Sequence, residues 1–161
     1  MSARRIWERR DLATHLEALR ARKKAGRVVL ANGCFDLLHA GHVSYLEDAR
    51  TRGDYLVVAL NADESVRQLK GQGRPLMPLE ERAQIVAALR CVDAVTSFAE
   101  RDLEATLRAL RPDVHAKGTD YTEAGVPEAA VDRELGIEIA ICGAAKRGST
   151  SAIAARIAPA G

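Results

Sequence analysis

The sequence predicts an α/β protein, three layers deep, built on a five-stranded parallel sheet. Two observations carry this. Five short apolar runs alternate with helical segments along the chain, a pattern that closes through right-handed crossovers into a parallel sheet with helices on both faces. The run at residues 55–60 is apolar throughout rather than at every second residue, as befits a strand covered on both sides.

Each element has its own local reason. Residues 11–24 set Leu12, Leu16 and Leu19 on one helical face, with Asp11 as N-cap and Gly26 beyond the end. Residues 27–32 form the first strand. Residues 43–52 form a helix with Val43, Leu46 and Ala49 inward, closed by Gly53. Residues 55–60 form the second strand, and Asp63 caps a short helix through Leu69. Residues 70–78 contain Gly71, Gly73, Pro75 and Pro78 and form the one long loop. The next helix, 79–90, turns Ile85, Val86 and Leu89 inward. A third strand at 94–97 precedes a helix at 102–110 that Pro112 stops. The fourth strand is 114–117, a helix at 127–135 ends at Gly136, and the fifth strand is 137–142. The last helix covers 149–157, and 158–161 is a frayed tail.

The bulk properties bound the function. At 161 residues the chain makes one domain, 1–161, with its core at about 11–157. A net charge of +2 gives no strong pull toward nucleic acid or anionic membrane. Basic residues crowd the N-terminus (Arg4, Arg5, Arg9, Arg10, Arg20) and read as a solvated helix face. No apolar run spans a bilayer and no secretory signal opens the chain. Three cysteines, Cys34, Cys91 and Cys142, are widely spaced without a CxxC pair, which points to a reducing cytoplasm rather than disulfides or structural zinc.

In such a sheet, ligands bind beyond the carboxyl ends of the strands, where strand order reverses. Three polar clusters fall on that edge: Asn32-Gly33, Lys117-Gly118, and Lys146-Arg147-Gly148-Ser149-Thr150-Ser151. The first opens the run Asn-Gly-Cys-Phe-Asp-Leu-Leu-His-Ala-Gly-His at residues 32–42. His39 and His42 are three apart at a helix start and project to one side. Unpaired N–H groups and the positive end of the dipole sit there too, making a donor-rich pocket for phosphate. Gly41 between them leaves room for a flat ring or phosphate to reach the backbone. A metal pair is the rival reading, but no third ligand has suitable spacing. Lys117 and Gly118, with Asp120, end a strand where a nucleotide can lie against bare backbone. Ser149, Thr150 and Ser151 open the last helix and either cap it or bind phosphate. Asp36 faces sugar hydroxyls or holds the loop. His115 reads as a core or rim histidine, and His15 as a helix-surface residue.

The run from Gly33 to His42 resembles the HxGH signature of the nucleotidyltransferase superfamily, which includes the cytidylyltransferases. The longer match is similar to bacterial heptose 1-phosphate adenylyltransferases: residues 32–46, 53–61, 65–71, Arg74-Pro75, Val92-Asp93, 111–114, 117–121 and Ser149-Thr150. It covers about Leu12 to Ile157. The resemblance implies a Rossmann-like fold of the HxGH nucleotidyltransferase type. It implies transfer of AMP from ATP to a heptose 1-phosphate, giving ADP-heptose and pyrophosphate, with Mg²⁺ delivered on the ATP. By the same resemblance His39, His42 and Lys70 are catalytic. Gly33, Cys34, Phe35 and Gly41 join Lys117, Gly118, Asp120, Ser149, Thr150 and Ser151 in nucleotide binding. Asp36, Asn61, Arg74, Arg82 and Arg90 meet the sugar phosphate. Relatives are commonly oligomers, so a homo-oligomer is expected, with the sugar kinase on a separate chain. The run Lys146-Arg147-Gly148 departs from the acidic residue the family often has there. Two alternatives stand beside this reading: a cytidylyltransferase for glycerol 3-phosphate or a similar alcohol, and a non-catalytic nucleotide-binding relative. Hydride transfer is disfavoured because no GxGxxG follows the first strand.

Overall fold

The computed structural model describes residues 5–145 and 148–159. Arg4, Lys146 and Arg147, all singled out above, lie outside the described residues. The elements run α1 (Arg9–Ala21), β1 (Val28–Gly33), α2 (Ala40–Thr51), β2 (Tyr55–Asn61), α3 (Asp63–Lys70), α4 (Leu79–Ala87), β3 (Ala94–Phe98), α5 (Glu104–Leu110), β4 (Val114–Gly118), α6 (Ala129–Leu135), β5 (Glu138–Cys142) and α7 (Thr150–Ile157). The sheet is five-stranded in the order β3-β2-β1-β4-β5, and every pairing is parallel. The chain therefore starts in the middle, builds outward through β3, then crosses to β4. The reversal falls between β1 and β4, whose ladder runs from Val29↔Val114 to Ala31↔Ala116.

Two apolar layers flank the sheet. On one face, Leu46 and Ala49 of α2 and Ala83 and Val86 of α4 pack on Val29, Ala31, Val58, Leu60, Val114 and Ala116. On the other, Leu12 and Leu16 of α1, Leu103, Leu107 and Leu110 around α5, and Val131 and Leu135 of α6 cover Val28, Leu30, Val57 and Ala59. Alternate residues of each strand feed alternate layers, which is why the strands are apolar throughout.

Several ends differ from expectation. The first helix begins at Arg9 with Glu8 as N-cap, and no side chain caps it, so Asp11 lies within the first turn. Asp63 is the first helical residue rather than the cap, which is Ala62. Gly53 follows a right-handed C-cap; what requires glycine is the Arg27 carbonyl oxygen, 2.5 Å from where a Cβ would stand. α4 stops at Ala87, and Arg82, Ala83 and Val86 form its buried face, leaving Ile85 37% exposed. The helical register that buries Arg82 turns Ile85 outward.

Arg5, Arg9 and Arg20 are braces rather than part of a solvated face, whereas Arg10, Arg22, Lys23 and Lys24 are exposed as expected. Arg5 donates to the carbonyls of Ala87, Leu89 and Val92. Arg9 donates to Glu100 and Thr106. Arg20 closes the C-terminus of α5 on the carbonyls of Leu110 and Arg111, where a cation suits the helix dipole. His15 is half-buried and stacks on Trp7 at 4.6 Å.

Candidate active site

The N-terminus of α2 lies just past the end of β1. His39 is its N-cap, in extended backbone, and its Nδ1 accepts the Gly41 N–H at 3.1 Å. His42 Nδ1 accepts the His39 N–H at 3.3 Å. This is a reciprocal capping box built from two imidazoles, and it starts the helix three residues earlier than expected. A ring nitrogen that accepts carries no proton, so in both rings Nε2 is the N–H donor. The rings stack with centroids 3.8 Å apart. A Cβ on Gly41 would stand 2.9 Å from His39 Nδ1 and Cε1. The space that glycine creates, expected to admit a ligand, is occupied by the His39 ring itself.

Phe35 lies beneath. It is buried, its ring tilts against His42 at 5.1 Å and stacks on Tyr45 at 6.2 Å. Its side chain therefore supports His42, which corrects its assignment to the nucleotide. Phe35 and Leu37 both take left-handed backbone, φ 49° and 45°, at a cost of about 1 kcal/mol each. The tight turn between them drives Asp36 inward.

Asp36 is 2% exposed. Its carboxylate accepts the Leu76 and Met77 N–H groups at 2.8 and 3.0 Å and stands 3.8 Å from Arg74 Nη1. Its carbonyl accepts the Thr150 hydroxyl. The signature turn, the loop at 71–78 and the start of α7 thus meet on one residue. Asp36 is a loop anchor, the second of its two expected roles, because burial turns its carboxylate onto the N–H groups of that loop.

Arg82 is also corrected. It is 0% exposed and donates to the carbonyls of Met77, Cys34 and Asn61 and to Asp63, a strut with no face toward a sugar phosphate. Asn61 is a second strut, 6% exposed, donating to Ser65 and accepting from the Cys34 thiol. Arg90 is exposed and lines a shallow pocket of about 360 Å³ with Val43, Glu47, Arg50, Leu89 and Cys91. Val43, Glu47 and Arg50 follow His39 down the same side of α2, so Arg90 stands beside that helix, along from its N-terminus.

Lys70 is exposed at the end of α3, close enough to Cys34 to favour its thiolate, while burial pushes that thiol up. Arg74, on the same loop, is held by Asp36. At the end of β4, Lys117 Nζ sits 4.4 Å over the Tyr121 ring and 3.9 Å from Glu128; burial pulls its amine down. A Cβ at Gly118 would meet nothing within 4 Å, so open space lies beside the backbone there, and Asp120 is exposed just after it. Ser149 caps α7 by accepting the Ala152 N–H at 3.1 Å, Thr150 docks on Asp36, and Ser151 is exposed. Gly33 and Cys34 join β1 to this turn. Among the described residues, no group of three or more His, Cys, Asp or Glu could hold a metal ion, and no helix is long and apolar enough to cross a membrane.

Tyr45 went unrecognised in the sequence. Its hydroxyl donates to the Ala116 carbonyl at 2.6 Å, clipping α2 to β4 where the β1–β4 ladder ends. A tyrosine on the buried side of a helix that starts at a strand switch was the available signal.

The comparisons agree with this geometry. The family model for cytidylyltransferase-like proteins matches residues 30–154. The bifunctional protein HldE of Pelobacter propionicus is 54% identical over 131 residues, covering 81% of this chain and 26% of that protein. The protein of the same name from Streptomyces coelicolor is 50% identical, covering 88% of this chain and 30% of that one. The chain thus spans less than a third of either relative. Among solved structures, a lipopolysaccharide core biosynthesis protein from Thermoplasma volcanium superposes with TM-score 0.66 at 28% identity, over 75% of this chain and 99% of that one. A pantoate-β-alanine ligase from Francisella tularensis shares the fold, with TM-score 0.66 at 17% identity, over 90% of this chain and 69% of that one. With the paired histidines at the head of α2 and a matched segment reaching from β1 into α7, the chain belongs to the cytidylyltransferase-like family.

Proposed function

We propose that the chain is a heptose 1-phosphate adenylyltransferase. An oxygen of the sugar 1-phosphate attacks the α-phosphorus of ATP. The bond from that phosphorus to the bridging oxygen breaks, and pyrophosphate leaves with the electron pair, giving ADP-heptose. No protein nucleophile is needed. The protein has to align the two phosphates and stabilise charge on the oxygens as it builds up.

The observation that carries the reading is the double-histidine cap. It aims two Nε2–H donors from one helix N-terminus, with tautomers fixed by the backbone, as a triphosphate requires. Lys70, exposed before the loop at 71–78, adds mobile positive charge, and Arg74, held by Asp36, adds a fixed one. The open backbone at Gly118 suits the nucleoside, and Ser151 stands by the phosphates at the head of α7. Mg²⁺ enters as part of the ATP substrate and neutralises its phosphates. The donor set fits this, being N–H groups and cations rather than an oxygen cage.

Adenine and a heptose rest on the likeness to the heptose branch in residues 32–46, 65–71 and 117–121. The same reading places the enzyme in the cytoplasm, as a homo-oligomer, with the kinase that supplies the sugar 1-phosphate outside these residues. The test is pyrophosphate release with ATP or CTP against heptose 1-phosphate or glycerol 3-phosphate. Release with ATP and the heptose alone is the expected result. Release with CTP and glycerol 3-phosphate moves the assignment to that cytidylyltransferase; nucleotide binding without release with any acceptor makes the chain a non-catalytic relative.

A further inference from the structure

The mechanism leaves a buried polar ladder unused. His115 and Lys117 are two apart on β4 and share one face of the sheet. Glu128, just before α6, and Asp132, four residues on, face them. His115 Nδ1 meets Asp132 Oδ2 at 2.9 Å, and both side chains are fully buried. Lys117 and Glu128 form the second rung. From the other side of its ring, His115 Nε2 meets the Asn32 amide oxygen at 3.2 Å.

Asn32 is the residue after the last β1–β4 pair, Ala31↔Ala116, and precedes Gly33 at the mouth of the phosphate site. On the opposite face of the sheet, the Tyr45 hydroxyl donates to the Ala116 carbonyl. His115 therefore holds the Asn32 side chain at the point where the strands part. An apolar pair would fill the place of His115 and Asp132 at no loss of stability, since desolvation offsets most of what a buried ion pair gains. What an apolar pair would lack is a partner for Asn32.

We propose that His115 and Asp132 are positioning residues for the nucleotide. Asp132 orients the imidazole, the imidazole holds Asn32, and Asn32 fixes the strand end on which the phosphate-binding turn is built. The proposal rests on the nucleotidyl-transfer reading of that turn.

The test compares the parent chain with His115→Leu/Asp132→Val, Asn32→Ala, the triple variant, and the polar control His115→Gln/Asp132→Asn. Nucleotide dissociation constants, with both ATP and CTP, are measured alongside thermal melts. The apolar pair is expected to melt within a few degrees of the parent yet bind nucleotide about tenfold more weakly. Asn32→Ala should show the same loss, the triple variant no further loss, and the polar control near-parent affinity. Parent-like affinity in the folded apolar pair overturns the proposal. If that pair fails to fold, Asn32→Ala decides, and unchanged affinity there overturns it. A parent that binds only CTP overturns the adenylyl assignment while the comparison proceeds on CTP; a parent that binds neither overturns both.

Discussion

His39 and His42 each spend Nδ1 on the backbone of their own helix turn, and their rings stack 3.8 Å apart. Helix capping thus takes one nitrogen of each ring, and the proposed function assigns the phosphates to the other. The cap sets which nitrogen carries the proton before any nucleotide arrives, so no reorganisation is required at the moment of transfer.

Removing one donor should therefore separate stability from turnover. His42→Ala is expected to lower kcat by about 10²–10³, while loss of the reciprocal cap costs about 1 kcal/mol. A pyrophosphate assay on protein shown to be folded by its melt checks this. Activity within threefold of the parent would remove His42 from the mechanism.

Gly41→Ala tests the same arrangement from the other side. In an ordinary helix the change stabilises by about 1 kcal/mol. Here the new methyl falls 2.9 Å from the His39 ring and displaces it. The variant should melt at or near the parent temperature and still lose at least tenfold in kcat. Equal activity would mean that the His39 ring position does not matter.

Arg82→Met probes the strut. Its removal orphans three carbonyls and the Asp63 carboxylate, the situation in which breaking a buried charge network costs about 3–5 kcal/mol. The urea midpoint should fall accordingly, and activity per folded molecule should fall less than in His42→Ala. A phosphate-binding arginine would give the reverse: an unchanged midpoint and lost activity.

How much of this was legible follows from what each signal depends on. The strands, their order of appearance and the sheet edge were readable because apolar runs and strand-end glycines are local. Placing His39, His42, Lys117 and Ser149 at that edge needed only topology. Arg82, Asp36 and Asn61 misled because a charged or polar side chain near a phosphate motif reads as a ligand contact. Their real partners are main-chain groups of residues 34, 61, 76 and 77, with the Asp63 carboxylate for Arg82 and the side chains of Cys34 and Ser65 for Asn61, and no pattern in a sequence marks which carbonyl or N–H lacks a mate. Gly53 and Gly41 show the same limit: both are required by close approach, at Arg27 and His39, rather than by the chain reversal that sequence rules associate with glycine.

Tyr45 gives a dependence on pH. Desolvation of its hydroxyl end raises its pKa above the usual phenol value, so the folded chain keeps this proton where the unfolded chain has lost it. Above about pH 10, the ordinary value, the folded state then binds more protons than the unfolded, and stability falls as pH rises. Burial raises Tyr55, Cys34, Cys91 and Cys142 in the same direction, so the parent should lose stability steadily from about pH 9 upward. Tyr45→Phe removes one contributor and one hydrogen bond to Ala116. It should start about 1 kcal/mol below the parent at pH 8 and fall more shallowly, so that the two melting curves converge by about pH 11. Parallel curves across that range would mean that the Tyr45 hydroxyl ionises as readily in the folded chain as in the unfolded one, and that the clip between α2 and β4 is open to solvent.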